Sequence, residues 1–119
     1  AAHQAGVALN VEVGDALAVP KRFEGAFDYV LEQTFFCAID PNRRLEYVEA
    51  ATKLLKPGGT LFGLFFDFKS DDGPPFGSDA DELRALFSDQ FHIRVLERCE
   101  TSHPRRRGDE LWAEFEKKV

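Results

Sequence analysis

Residues 27–39 of the chain read FDYVLEQTFFCAI, a stretch that begins as an apolar strand and turns polar at Glu32, Gln33 and Thr34. Nearly continuous apolar character over residues 27–31 is typical of a strand that helices cover on both faces of a parallel sheet. In an open α/β sheet, ligands bind in the crevice beyond the carboxyl ends of the strands, so these three polar residues are candidates for a site. An ordinary strand–loop junction with capping residues explains the same pattern.

The next residues predict a helix. Asp40 and Pro41 mark its start, because Asp accepts hydrogen bonds from the first N–H groups and Pro suits the first helical position. Apolar side chains then recur on one stripe, at Leu45, Val48, Ala51, Thr52 and Leu55. The charged side chains fall mostly elsewhere, at Arg43, Arg44, Glu46, Glu49 and Lys53. The run KPGG at residues 56–59 predicts the end of this helix.

Strands are expected on both sides of this helix. Residues 60–66 (TLFGLFF) follow it as an apolar strand, so strand, helix and strand form a βαβ unit with a right-handed crossover and parallel strands. Upstream, residues 7–13 (VALNVEV) alternate as a further strand that ends at Gly14 and Asp15. The sheet predicted from these patterns is therefore parallel in this part of the chain.

The C-terminal part predicts a loop, a short helix and a strand pair. The loop at residues 67–77 leaves the carboxyl end of a strand, and we expect it to lie over the same crevice as Glu32. Ser78 and Asp81 have the spacing of a capping box, followed by an apolar helix face at Leu83, Leu86 and Phe87. Residues 91–95 and 111–116 alternate in polarity around a polar loop at 101–108, which predicts an antiparallel pair.

Composition limits the classes of protein. A length of 119 residues allows one domain, and an apolar fraction of 44% favours a folded core. The net charge of -6 argues against non-specific nucleic-acid binding, and we interpret the basic run at residues 105–107 as part of a solvated loop. The longest apolar run is too short to span a bilayer. Cys37 and Cys99 lack the spacing of a zinc or redox site, so reduced thiols and a cytoplasmic location are expected.

Few residues indicate acid–base, metal or nucleophilic chemistry. His3, His92 and His103 show no spacing that would place two of them on one face with a carboxylate, so no metal site is predicted. Cys37 starts a segment that should pack, which favours a small buried side chain over a nucleophile. The acidic residues of the 71–81 region are explained by solvation and helix capping, at Asp71, Asp72, Asp79 and Asp81.

Several segments together resemble a known family. LLKPGG before an apolar strand is similar to the helix–strand junction of class I S-adenosylmethionine-dependent methyltransferases. In order and spacing, FDYVLEQTFFCAI, DPNRR, GPPF and DELWAEFEKK resemble the thiopurine methyltransferase family, and TFFCAI is closest to its thiol and halide methyltransferase branch. The likeness runs from about residue 9 to residue 117. It implies the C-terminal portion of a Rossmann-like α/β methyltransferase sheet, with parallel strands and a C-terminal antiparallel pair, as one partial domain over residues 1–119.

The resemblance also implies an activity and a site. The reaction would be methyl transfer from S-adenosylmethionine to a small thiol, thiopurine, halide or similar soft nucleophile, without metal. Asp15 and Ala16 match the loop that holds the adenine ring, and Gln33 matches a side chain that touches the cofactor. Together with Glu32 and Thr34 they form the expected cofactor-binding set. The expected acceptor-binding residues are Pro74, Pro75 and Phe76.

The chain departs from the family at its beginning. Family members start with a strand, a glycine-rich turn, a helix and a second strand, whereas this chain contains no G-x-G-x-x-G and no Met. We therefore expect residues upstream of Ala1, an exposed apolar edge at residues 27–31, and little cofactor binding or activity from the 119 residues alone. A truncated sequence, a complementing chain, or a homodimer formed through the open edge explains this pattern. The alternative function is a non-catalytic α/β module for dimerisation or interaction.

Overall fold

The computed structural model describes residues 16–68, 73, 76–98 and 110–119, which form a mixed sheet with two helices on one face. The predicted strand at residues 7–13 and the loop at 101–108 lie outside the described residues. The strands are β1 (Phe27–Gln33), β2 (Leu55–Phe66), β3 (Phe91–Arg98) and β4 (Glu110–Lys117). The helices are α1 (Arg44–Leu54) and α2 (Ala80–Phe87), with short 3-10 helices at Lys21–Phe23, Phe36–Ala38 and Pro41–Arg43.

The sheet confirms the predicted fold class. Its strand order among the described residues is β1-β2-β4-β3. β1 and β2 are parallel and joined through α1, as the βαβ prediction requires. β4 lies between β2 and β3 and is antiparallel to both, which confirms the C-terminal strand pair. The carboxyl ends of β1 and β2 therefore lie side by side at the same end of the sheet, with Gln33 opposite Leu64.

The predicted helix start is confirmed as a 3-10 turn, Pro41–Arg43, that leads into α1, but the buried face of α1 differs from the prediction. Asp40 Oδ1 accepts a hydrogen bond from the Asn42 N–H at 2.9 Å, and Pro41 opens the turn. Leu45, expected on the apolar stripe, is 64% exposed, and Arg44, expected elsewhere, is buried. The buried side of α1 consists of Arg44, Tyr47, Val48, Ala50 and Ala51. Arg44 Nη2 and the Tyr47 hydroxyl both have hydrogen-bond partners, which offset part of the cost of burying these polar side chains.

The boundary between α1 and β2 also differs from the prediction. The helix ends at Leu54, and β2 begins at Leu55 rather than at Thr60. Leu55 is fully buried and pairs with Phe27 of β1, so core packing draws this residue into the sheet. The bend that follows this pairing uses Gly58, whose φ of 83° is in the left-handed region that favours glycine.

The core lies between the helices and the sheet and is rich in phenylalanine. Phe87 of α2 contacts Phe65 of β2 and Phe115 of β4, with ring centroids 6.0 and 4.8 Å apart. Burial of Leu83 and Phe87 confirms the predicted face of α2. The predicted capping box is wrong by one residue: Asp79 Oδ1 accepts from the Glu82 N–H at 2.8 Å, because the Ser78 hydroxyl instead donates to the Phe66 carbonyl at 2.6 Å.

The other face of the sheet has no helix among the described residues. Tyr29 and Leu31 of β1 are 69% and 66% exposed, and Phe27 is exposed as well. This confirms the predicted apolar edge and corrects the expectation that helices cover both faces of this strand. Tyr29, Phe62 and Trp112 form a row of rings across that face, with neighbouring centroids 6.0 Å apart. None of the helices in the described part of the chain is long and apolar enough to cross a membrane.

Candidate functional site

The carboxyl end of β1 presents its polar residues to two different sides of the sheet. Successive side chains of a strand point to opposite faces. Glu32 accordingly lies on the helix-covered face and is 3% exposed, whereas Gln33 lies on the open face and is exposed. Thr34 follows with a φ of 60°, in the left-handed region, and its hydroxyl donates to the Gln33 carbonyl at 2.7 Å. A non-glycine residue in this conformation marks an abrupt end of the strand.

Glu32 holds the turn that follows β1. Its Oε2 accepts from the Phe35 N–H at 3.0 Å, and both its oxygens lie 3.2 Å from the Phe36 nitrogen, whose N–H donates to them. The Tyr47 hydroxyl donates to Glu32 Oε1 at 2.6 Å. These bonds give a buried carboxylate the partners that its desolvation requires. The sequence pattern had indicated Glu32 as a cofactor contact and had not indicated Tyr47 at all.

The pKa of the Tyr47 hydroxyl is shifted by its burial and by Glu32. Burial, and next the negative charge of Glu32, raise the pKa of the Tyr47 hydroxyl well above its ordinary value. Both effects disfavour the phenolate, so the hydroxyl stays protonated and acts as a donor toward Glu32. Tyr47 therefore supports the strand end through Glu32. The hydrogen bond to Glu32 and the burial of Tyr47 on α1 show this role.

Gly63 of β2 allows β1 and β2 to come close near their carboxyl ends, where Gly63 pairs with Glu32. A Cβ atom at this position would lie 2.0 Å from the Glu32 carbonyl oxygen and 2.9 Å from the Glu32 nitrogen. Backbone atoms cannot be moved aside without moving the strand, so only glycine fits. An isolated glycine inside an apolar strand is the sequence signal for such an approach.

The loop that leaves β2 returns to the turn that follows β1, as the sequence predicted. The Phe76 N–H donates to the Cys37 carbonyl at 2.7 Å. The Phe76 ring lies against Gly73, where a Cβ atom would come within 2.6 Å of it. Pro74 and Pro75, the other expected acceptor-side residues, lie outside the described residues. Phe76 is thus brought next to the end of β1.

An open, mostly apolar cleft of about 280 Å³ lies beside the carboxyl half of β1. Ala16 and Glu32, both expected on the cofactor side, line it together. Its other walls are apolar or aromatic side chains, from Leu17, Val30, Leu31, Phe35, Tyr47, Ala50, Ala51 and Leu54. Such a cleft suits a flat, weakly polar ring and is close to the lower size limit of ligand pockets. Asp15, the neighbour of Ala16, lies outside the described residues.

Metal-binding side chains are not clustered in the part of the chain that the structure describes. No three or more His, Cys, Asp or Glu residues of that part lie close enough together to hold a metal ion. His92 is exposed on β3.

The family model described as Thiopurine S-methyltransferase matches residues 2–119. A thiopurine S-methyltransferase of Photobacterium profundum is 37% identical over 104 residues, which is 84% of this chain and 47% of that protein. Probable thiol methyltransferase 2 of Arabidopsis thaliana is 40% identical over 61 residues, or 50% of this chain and 27% of that protein. The chain thus spans about half the length, or less, of these relatives.

A solved structure shares the fold. The 1,6-didemethyltoxoflavin-N1-methyltransferase of Burkholderia thailandensis, with bound 1,6-didemethyltoxoflavin and S-adenosylhomocysteine, superimposes with a TM-score of 0.69. The match covers 87% of this chain and 48% of that chain, at 19% sequence identity. A likeness at this identity concerns the fold, and it confirms the Rossmann-like methyltransferase architecture.

Proposed function

The chain belongs to the thiopurine S-methyltransferase family, and from this membership we propose that the protein catalyses S-adenosylmethionine-dependent methyl transfer to a small thiol-like acceptor. The match of the family model over residues 2–119 carries the proposal. The thiol methyltransferase among the relatives supports a soft nucleophile, which includes thiopurines, other thiols and halides. The relatives are about twice as long as this chain, so the proposal concerns the complete protein.

The cofactor side of the proposed site is the cleft beside β1. Its apolar walls fit one face of an adenine ring, with Ala16 at one side and Glu32 at another. Asp15 would hold the polar edge of that ring, and Gln33 and Thr34 would contact the rest of the cofactor from the end of β1. When bound, S-adenosylmethionine supplies the sulfonium methyl group that is transferred.

The acceptor side is the loop after β2, with Pro74, Pro75 and Phe76. Displacement of a methyl group by a soft nucleophile depends on alignment of the two reactants and on exclusion of water. The apolar walls of the cleft and the Phe76 ring provide surfaces that exclude water. The hydrogen bond from Phe76 to Cys37 joins the acceptor side to the cofactor side, so the two reactants would be held by one connected piece of backbone.

Calorimetric titration of S-adenosylhomocysteine into the complete protein tests the proposal. We expect binding by the wild type, and about tenfold weaker binding by Gln33→Ala, because an amide that contacts the cofactor would be lost. Gln90→Ala is the matched control, since Gln90 is also exposed but lies in the turn between α2 and β3. Absence of binding by the wild type would contradict the proposed function.

The exposed edge of the sheet favours a second candidate, a non-catalytic α/β module that dimerises or binds another chain. The observation behind it is the exposure of Phe27, Tyr29 and Leu31 on β1. Sedimentation of the 119-residue chain separates the two candidates when it is combined with the titration. A uniform dimer of a protein that binds no cofactor supports the module, whereas cofactor binding by the complete protein supports the enzyme.

A further inference from the structure

Arg44, the first residue of α1, contacts the turn after β1, the segment that precedes α2, and α2 itself. Its Nη2 donates to the Gly77 carbonyl at 2.7 Å, and its Nη1 donates to Glu82 of α2. The guanidinium carbon lies 4.8 Å from the centre of the Phe36 ring, in the turn that follows β1. Arg44 is 4% exposed, so it makes these contacts in the interior.

Stability alone explains this buried charge poorly. The Nε atom of Arg44 is buried and has no hydrogen-bond partner among the described residues, and Glu82 is partly exposed. Removing such a charge from water costs free energy that an ion pair often fails to recover, whereas buried polar groups can fix one arrangement of the surrounding segments. The planar guanidinium donates in two fixed directions, which a lysine ammonium cannot reproduce.

The segment that Arg44 holds is the one that carries Phe76. Gly77 follows Phe76 directly, and the Phe76 N–H is bound to the Cys37 carbonyl. Cys37 and Phe36 belong to the same short 3-10 helix after β1. Arg44 therefore holds both partners of that contact, through the carbonyl of Gly77 on one side and the ring of Phe36 on the other.

We propose that Arg44 is a positioning residue that fixes the separation between the acceptor-side residue Phe76 and the cofactor-side turn after β1. This role rests on the proposed methyl transfer. In this role Arg44 acts through Gly77 and Phe36 and does not itself contact the reactants. Its loss should therefore affect acceptor binding more than cofactor binding.

Kinetics of the complete protein with thiophenol as acceptor tests the role. For Arg44→Lys we expect the KM for thiophenol to rise about tenfold, because misplacement of a positioning surface weakens alignment. The Kd for S-adenosylhomocysteine should stay within about twofold, since the cleft beside β1 keeps its walls. Lys117→Met is the control, because Lys117 supports the far end of α1 and should lower the Tm without changing the KM.

Amide hydrogen exchange tests the same role without activity. Arg44→Lys should raise the exchange rate at Phe76 about tenfold and leave that of Ala113 in β4 unchanged. Glu82→Gln, which keeps the bond to Gly77, serves as a milder variant if Arg44→Lys fails to fold; it should raise exchange at Phe76 about threefold. Unchanged exchange at Phe76 in Arg44→Lys, or in Glu82→Gln where Arg44→Lys does not fold, overturns the positioning role, as does an equal KM rise in Lys117→Met. Absence of S-adenosylhomocysteine binding by the wild type overturns the proposed function instead.

Discussion

Glu32 and Gln33 are adjacent residues whose substitution should have different consequences. Glu32 is enclosed under the helices with three hydrogen-bond donors around its carboxylate, whereas the Gln33 side chain reaches the open face of the sheet. A change at Glu32 therefore acts first on the turn after β1. A change at Gln33 should leave that turn intact, so it tests the proposed cofactor contact separately from the turn.

Tyr47→Phe isolates the bond between Tyr47 and Glu32. At neutral pH we expect a loss of about 1–2 kcal/mol in the free energy of unfolding, because a buried carboxylate loses a donor. The pKa of the Tyr47 hydroxyl is raised in the folded state by burial and by Glu32, so folding holds this proton more tightly than the unfolded chain does. The stabilisation is fully present below the unfolded pKa of about 10 and decreases as the pH rises above it.

Urea denaturation of wild type and variant between about pH 8 and about pH 11 measures this dependence. The difference in the free energy of unfolding, wild type minus Tyr47→Phe, should shrink above about pH 10. The lysines that titrate in this range are present in both proteins, so their contribution cancels in the difference between the two free energies of unfolding. A difference that stays constant across the alkaline range would contradict the assigned pKa direction.

At the scale of elements, Gly63 determines how closely β1 and β2 can pair. Gly63→Ala places a methyl group against the Glu32 backbone, and we expect a loss of about 2–3 kcal/mol in the free energy of unfolding. Thermal denaturation measures the loss, and amide exchange at Gln33 should rise because the end of β1 is displaced. A Tm within experimental error of the wild type would show that the strands tolerate a larger separation.

The C-terminal end of α1 is supported from β4. Lys117 Nζ donates to the carbonyls of Thr52 and Leu55 at 2.6 and 2.8 Å, which satisfies acceptors that a helix end leaves unpaired. Lys117→Met should therefore lower the free energy of unfolding by about 1–2 kcal/mol in chemical denaturation. Lys118→Met is the matched control, because the Lys118 side chain is exposed. Equal losses in both variants would argue against the helix-end role.

The sequence was sufficient for elements whose local signals agree with the packing. Period-two alternation predicted β3 and β4, and Asp40 with Pro41 predicted the start of the first helix. It was insufficient where a tertiary contact decided the outcome. The buried face of α1 depends on the partners of Arg44 and Tyr47, and Leu55 joins β2 because it completes the core. At the candidate site, the position of Phe76 beside the turn was predicted. Glu32 and Gln33 were predicted to contact the cofactor together, although neighbouring side chains of a strand point to opposite faces of the sheet.

At the scale of the whole molecule, the described sheet is asymmetric. One face is covered by α1 and α2, and the other exposes Tyr29 and Leu31 on β1, at the edge of the sheet. An exposed apolar edge strand offers both unpaired backbone groups and apolar side chains to another chain. We therefore expect the 119-residue chain to self-associate through β1.

Leu31→Lys and Leu45→Lys test this expectation as a matched pair. The two leucines are 66% and 64% exposed, but Leu31 lies on the edge strand and Leu45 on α1. In sedimentation velocity at increasing protein concentration, Leu31→Lys should shift the chain toward the monomer, because a charged side chain on an edge strand opposes pairing. Leu45→Lys should sediment like the wild type. If both variants reduced association equally, net charge rather than the β1 edge would govern it, and the edge would lose its role as the contact surface.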